Sequence, residues 1–155
     1  MSPLYAMLIA GSILAQPHGG QPPPVSISVV AVHATHENGA KQFDPGLENI
    51  RRTLEDAGFD RYQKLRATTI SAAFDHESSV DLSSGYALSI TPLSRERNDH
   101  VRMHIRLRME VKPQGGEAIC AVDTTIVIAP GKQFVLRGLK MDKGELIVVM
   151  SLDKR

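Results

Sequence analysis

The chain has 155 residues, 42% of them hydrophobic and 23% charged, which fits one folded domain and not a disordered polymer. Lysine plus arginine (18) nearly cancel aspartate plus glutamate (17), so no global charge excess directs the chain to nucleic acid or a membrane surface. A single cysteine excludes an intrachain disulfide framework and any multi-cysteine zinc or iron–sulfur centre, and no apolar run reaches the roughly 18–20 residues that a spanning helix needs.

The N-terminal region carries no Lys, Arg, Asp or Glu before Glu37. Leu4 to Ala15 (LYAMLIAGSILA) has the length of the apolar region of a secretory signal peptide, with Ala15 as a small residue before the cut. An uncleaved anchor and a buried N-terminal helix are the alternatives. Twelve residues in a helix would span roughly 18 Å, well short of the ~30 Å hydrocarbon core. With residues 1–15 as the signal peptide, export of the tether (16–24) and the single folded domain (25–155) to the periplasm or beyond, without a transmembrane helix in the mature chain, is therefore the expectation. Gln16 to Pro24 (QPHGGQPPP) is too rich in Pro and Gly for helix or ladder and reads as an extended tether. The folded domain then starts at Val25.

Val25 to Val32 (VSISVVAV) begins with strand alternation and then turns apolar on both faces, the pattern of a central strand. His33 to Gln42 reads as a polar loop with an Asn38-Gly39 turn signal. Phe43 to Phe59 predicts the one amphipathic helix. Asp44 would cap it, Pro45 would take its first position, and Leu47, Ile50 and Leu54 would form its apolar stripe. Gly58 would close the helix and bring Phe59 back onto Leu54. Strand segments follow: Tyr62 to Phe74, Ser78 to Leu82, Tyr86 to Leu93, His100 to Val111, Glu117 to Ile128, Gln133 to Arg137 and Glu145 to Leu152. The expected fold class is α+β, a mainly antiparallel sheet or sandwich with one amphipathic helix near the start of the domain.

His100 to Val111 alternates without a fault, so one face is buried and the other solvated. The solvated face carries His100, Arg102, His104, Arg106 and Arg108. Planar guanidinium forks suit carboxylate or phosphate, which makes this stripe a candidate partner- or anion-binding face. Its bland reading is a set of long stems that cover the sheet and pair across strands with acids such as Asp123. No aromatic residue interleaves the stripe, so no nucleic-acid partner is expected.

His33, His36 and Glu37 (H-x-x-H-E) supply metal-ligand chemistry at the end of the first strand, without the spacing of a recognised motif. They are the candidate metal ligands, beside the simpler reading of a solvated loop. Cys120 alternates with Ala118, Val122 and Ile126 and is expected to be a buried, inert thiol. No nucleophile elbow, phosphate-binding glycine loop or HExxH motif occurs. No catalytic residue and no cofactor are therefore assigned, and the chain is not expected to be an enzyme.

Two resemblances add to this reading. A signal segment, a strand, Phe43-Asp44-Pro45-x-Leu47-x-x-Ile50-x-x-x-Leu54, then Tyr62-x-x-Leu65 and a C-terminal hairpin resemble small uncharacterised secreted bacterial α+β proteins. That resemblance implies fold and location but no site. Thr125-x-Val127, Gly131 and Val135-x-x-Gly138-Leu139 resemble the β-hairpin of the secretin channel core, which implies an accessory place in an envelope machine. Together these expectations describe a non-catalytic exported domain that binds another envelope protein or itself, or an anionic envelope polymer. A small-ligand or metal-binding periplasmic module is the alternative.

Overall fold

The computed structural model describes residues 20–110 and 119–154. The expected signal segment, the first residues of the tether and the turn before Ile119 lie outside the described residues. Among the described residues nine strands form two sheets. The first sheet has the order β2-β3-β1-β9-β8, from β1 (Val25–Thr35), β2 (Gln42–Phe43), β3 (Arg61–Ala72), β8 (Gln133–Met141) and β9 (Gly144–Leu152). The second has the order β4-β5-β6-β7, from β4 (Ser78–Asp81), β5 (Tyr86–Arg95), β6 (Val101–Met109) and β7 (Ile119–Ile128). All neighbours are antiparallel except β2 and β3.

The sheets pack face to face through their apolar alternates. Ile27 and Val29 of β1 and Val148 and Met150 of β9 share one core with Leu88 and Ile90 of β5 and Met103, Ile105 and Leu107 of β6. Most of these side chains have no exposed surface, and burying each stabilises the fold by about 1.5–3 kcal/mol. A second core lies on the other face of the first sheet, where Val32, Ala34, Ile147 and Val149 meet Leu47, Ile50, Leu54, Phe59 and Tyr62. This explains the shift in the β1 pattern. Ser26 and Ser28 face solvent and bond Asp153, whereas the later alternates lie under the helical segment. Strand β1 also runs on to Thr35, taking in His33.

The helix is shorter than its sequence pattern predicts and starts later. A 3-10 turn at Glu48–Ile50 leads into α1, Arg51–Glu55. Asp44 does not cap it. The Asp44 carboxylate accepts from the Lys64 backbone N–H (3.0 Å) and from Arg61 (3.1 Å), which fastens it to β3. Pro45 opens a turn, and Gly46 at φ 89° takes a left-handed conformation that stops a helix from starting there. The stripe itself is buried: Leu47, Ile50 and Leu54 are 1%, 7% and 0% exposed.

Candidate functional site

The outer face of the second sheet is built by the alternate residues of four strands. Arg102, His104, Arg106 and Arg108 project from β6 because Val101, Met103, Ile105 and Leu107 are held in the core. Register places small residues of β5 beside them: Ala87 by Arg108, Ser89 by Arg106, Thr91 by His104 and Ser94 by Arg102. On the other side β7 brings Asp123 to Arg106, Thr125 to His104 and Val127 to Arg102. Beside these short neighbours Arg102 and Arg108 are exposed, while His104 and Arg106 are half-buried. His100 lies just before β6, at the end of a 3-10 turn over Arg97–Asp99.

Two carboxylates order the stripe. Asp123 accepts from His104 Nε2 at 2.5 Å and from Arg106 Nε at 3.3 Å. Glu96 accepts from Arg102 Nε at 2.8 Å and from the Ser94 hydroxyl at 3.1 Å. The bond from His104 holds the Asp123 carboxyl below its ordinary value of 3.8, with Arg106 adding to the effect. The bond from Arg102 does the same for Glu96, below 4.5. Asp123 as a cross-strand acid is legible in the sequence. Glu96 is not, because its reach depends on the turn that folds Ser94–Asp99 back over the end of β6. Arg108 is exposed, stands in the row of Asp81, Ala87 and Cys120, and forms no ion pair among the described residues. Among the described residues the face thus holds Arg102 and Arg106 ordered by carboxylates and Arg108 without an ion pair.

Cys120 corrects the sequence reading. It is exposed and lies on this outer face, opposite Arg108. The register steps from Leu107↔Val122 to Arg108↔Cys120, so Ala121 is an unpaired bulge residue. One extra residue reverses the alternation, and the side that carries Val122 and Ile126 no longer carries Cys120.

His33, His36 and Glu37 line one shallow cavity of about 370 Å³, together with Thr35, Arg61, Gln63 and Lys143. Their chemistry differs within it. His33 stands in β1 with Nε2 buried and unpartnered. The His36 ring stacks on Phe59 at 4.6 Å and its Nδ1 lies 3.9 Å from Asp60. Glu37 accepts from the Thr35 hydroxyl at 3.5 Å. Among the described residues no three His, Cys, Asp or Glu side chains are grouped as a metal-ligand set, and no helix is long and apolar enough to cross a membrane. No family model, curated protein or solved structure matches the chain.

Proposed function

We propose that this chain is a non-catalytic exported domain that binds another envelope protein through the outer face of its second sheet, as an accessory subunit of an envelope assembly. The observation that carries this reading is the Arg/His face itself, on which nothing packs among the described residues. Glu96 and Asp123 hold Arg102, His104 and Arg106 in fixed positions, and Arg108 is exposed without a counter-ion among the described residues. Pre-positioned guanidinium groups lose little side-chain freedom on meeting a carboxylate-bearing partner, which favours binding. The apolar run Leu4 to Ala15, the tether and the resemblance to small secreted bacterial proteins support export.

The test is capture of envelope proteins on immobilised full-length chain, with Arg108→Glu as the variant. Arg108→Glu leaves the ion pairs of Glu96 and Asp123 intact, so its fold is checked by unchanged thermal unfolding. Capture of a stoichiometric partner that weakens with added salt and is lost in Arg108→Glu supports the reading. Capture unchanged by both contradicts it.

One observation favours a second reading, a small-ligand or metal-binding periplasmic module. Among the described residues His33 Nε2 is buried without a hydrogen-bond partner, and His33 lines one cavity with His36 and Glu37. Stoichiometric metal in tag-free protein, lost in His33→Ala, supports that module. A preparation that is metal-free and takes up no zinc contradicts its metal-binding form.

A further inference from the structure

The two sheets have four end strands, and three of them carry features that discourage further pairing. Strand β2 has two residues. Strand β4 has four, three of them polar. Strand β8 is interrupted between Leu136 and Leu139, carries Arg137 and Lys140, and is tied to the helical segment. Those ties run from Gln133 to the Asn49 carbonyl (3.1 Å), from Arg137 to the Ala57 carbonyl (3.1 Å), and between Thr53 and Gln133.

Strand β7 differs. It runs ten residues from Ile119 to Ile128, has no Lys, Arg or Pro, and among the described residues pairs only with β6. Its only charge is Asp123, already paired with Arg106 and hydrogen-bonded to His104. Ile119 and Val127, 53% and 47% exposed, both lie on it, and Val122 and Ile126 are only half-buried. A long β-branched edge left in this state is a template for another strand.

Its sequence also names the strand that fits. Val122 to Ile126 (VDTTI) carries a branched apolar residue at each end and polar residues between, centred on Thr124. Val122 mirrors Ile126, and Asp123 stands at the mirror position of Thr125. Laid antiparallel against a second copy, Val122 meets the partner subunit's Ile126, and Asp123 meets the hydroxyl of the partner subunit's Thr125. Thr124 meets itself. This is the self-complementarity that a two-fold, isologous interface requires. We propose that two copies of this chain pair antiparallel along their β7 edges, with Thr124 on the two-fold axis. The second sheets then join into one continuous eight-stranded sheet, and the two basic faces lie on one side of it.

Cross-linking and sedimentation test the proposal on the full chain. At the axis the two Thr124 Cα atoms stand about 4.5–5.5 Å apart, inside the roughly 4.4–6.8 Å reach of a disulfide. Thr124→Cys in a Cys120→Ser background is therefore expected to form a covalent dimer under mild oxidation. The two Thr125 positions are displaced by two residues, about 7 Å along the strands as well as across them, so Thr125→Cys is expected to cross-link poorly. Wild-type Cys120 residues stand about 27 Å apart along the strands and give no disulfide dimer. Sedimentation is expected to show a wild-type dimer that Val127→Lys weakens by about tenfold or more. Arg108→Glu is expected to leave the dimer unchanged, so failure here is separable from failure of the binding face. A wild-type chain that stays monomeric at every soluble concentration overturns the proposal, as does cross-linking of Thr125→Cys equal to that of Thr124→Cys.

Discussion

Tyr62 joins the helical segment to the first sheet through one hydroxyl. It donates to the Leu54 carbonyl at 2.6 Å and accepts from the Phe59 backbone N–H at 3.1 Å, with no exposed surface on the residue. Tyr62→Phe leaves both backbone groups without that partner and is expected to destabilise the fold by about 1–3 kcal/mol, measured by urea unfolding. Burial raises the Tyr62 pKa above its ordinary value of 10.0. Its contribution is therefore fully present below pH 10 and is lost as pH rises through the higher folded value, so alkaline unfolding should accompany tyrosinate absorbance. Cys120 makes a second expectation at this scale. Its exposed thiol should react with a thiol reagent in the native protein as completely as after denaturation, whereas a protected thiol would contradict the bulge at Ala121. That bulge was not legible in the sequence, because alternation continues smoothly through Cys120 and only the pairing with β6 reveals the extra residue.

At the scale of elements, the strongest local patterns were the most legible. Strand β6 follows its period of two, since each inward side chain has a partner in the core. The helix kept its apolar stripe and lost its start. Asp44 has the chemistry of a cap, but Arg61 and the Lys64 N–H compete for the same carboxylate and lie far along the chain. Strand β8 continues past Arg137 because Gly138 at φ 80° lets the ladder resume at Leu139. Strand β2 is too short to leave a sequence pattern. Gly144 opens β9 beside the end of β1, its neighbour in the sheet, and a Cβ there would overlap the Ala34 carbonyl oxygen. Gly144→Ala is expected to cost about 1–3 kcal/mol through this crowding. A thermal midpoint equal to wild type would contradict that close approach.

At the scale of the whole molecule, two apolar cores anchor one sheet on both faces and the other on one, so among the described residues nothing packs on the outer face of the second sheet. Its basic stripe was legible because β6 alternates cleanly. Asp123 was legible as its cross-strand acid, whereas Glu96 was not, because it reaches Arg102 only through a turn. The His33, His36 and Glu37 cluster was legible as a neighbourhood but not as a geometry, since His36 turns toward Phe59. The most direct measurement of the proposed role is cross-linking of the tagged chain in its native cells, followed by envelope fractionation and mass spectrometry. The expected result is a defined envelope protein at fixed stoichiometry, absent when Arg108→Glu is expressed at the same level. Recovery of the chain in the cytosol with Met1 intact and no linked partner would contradict it.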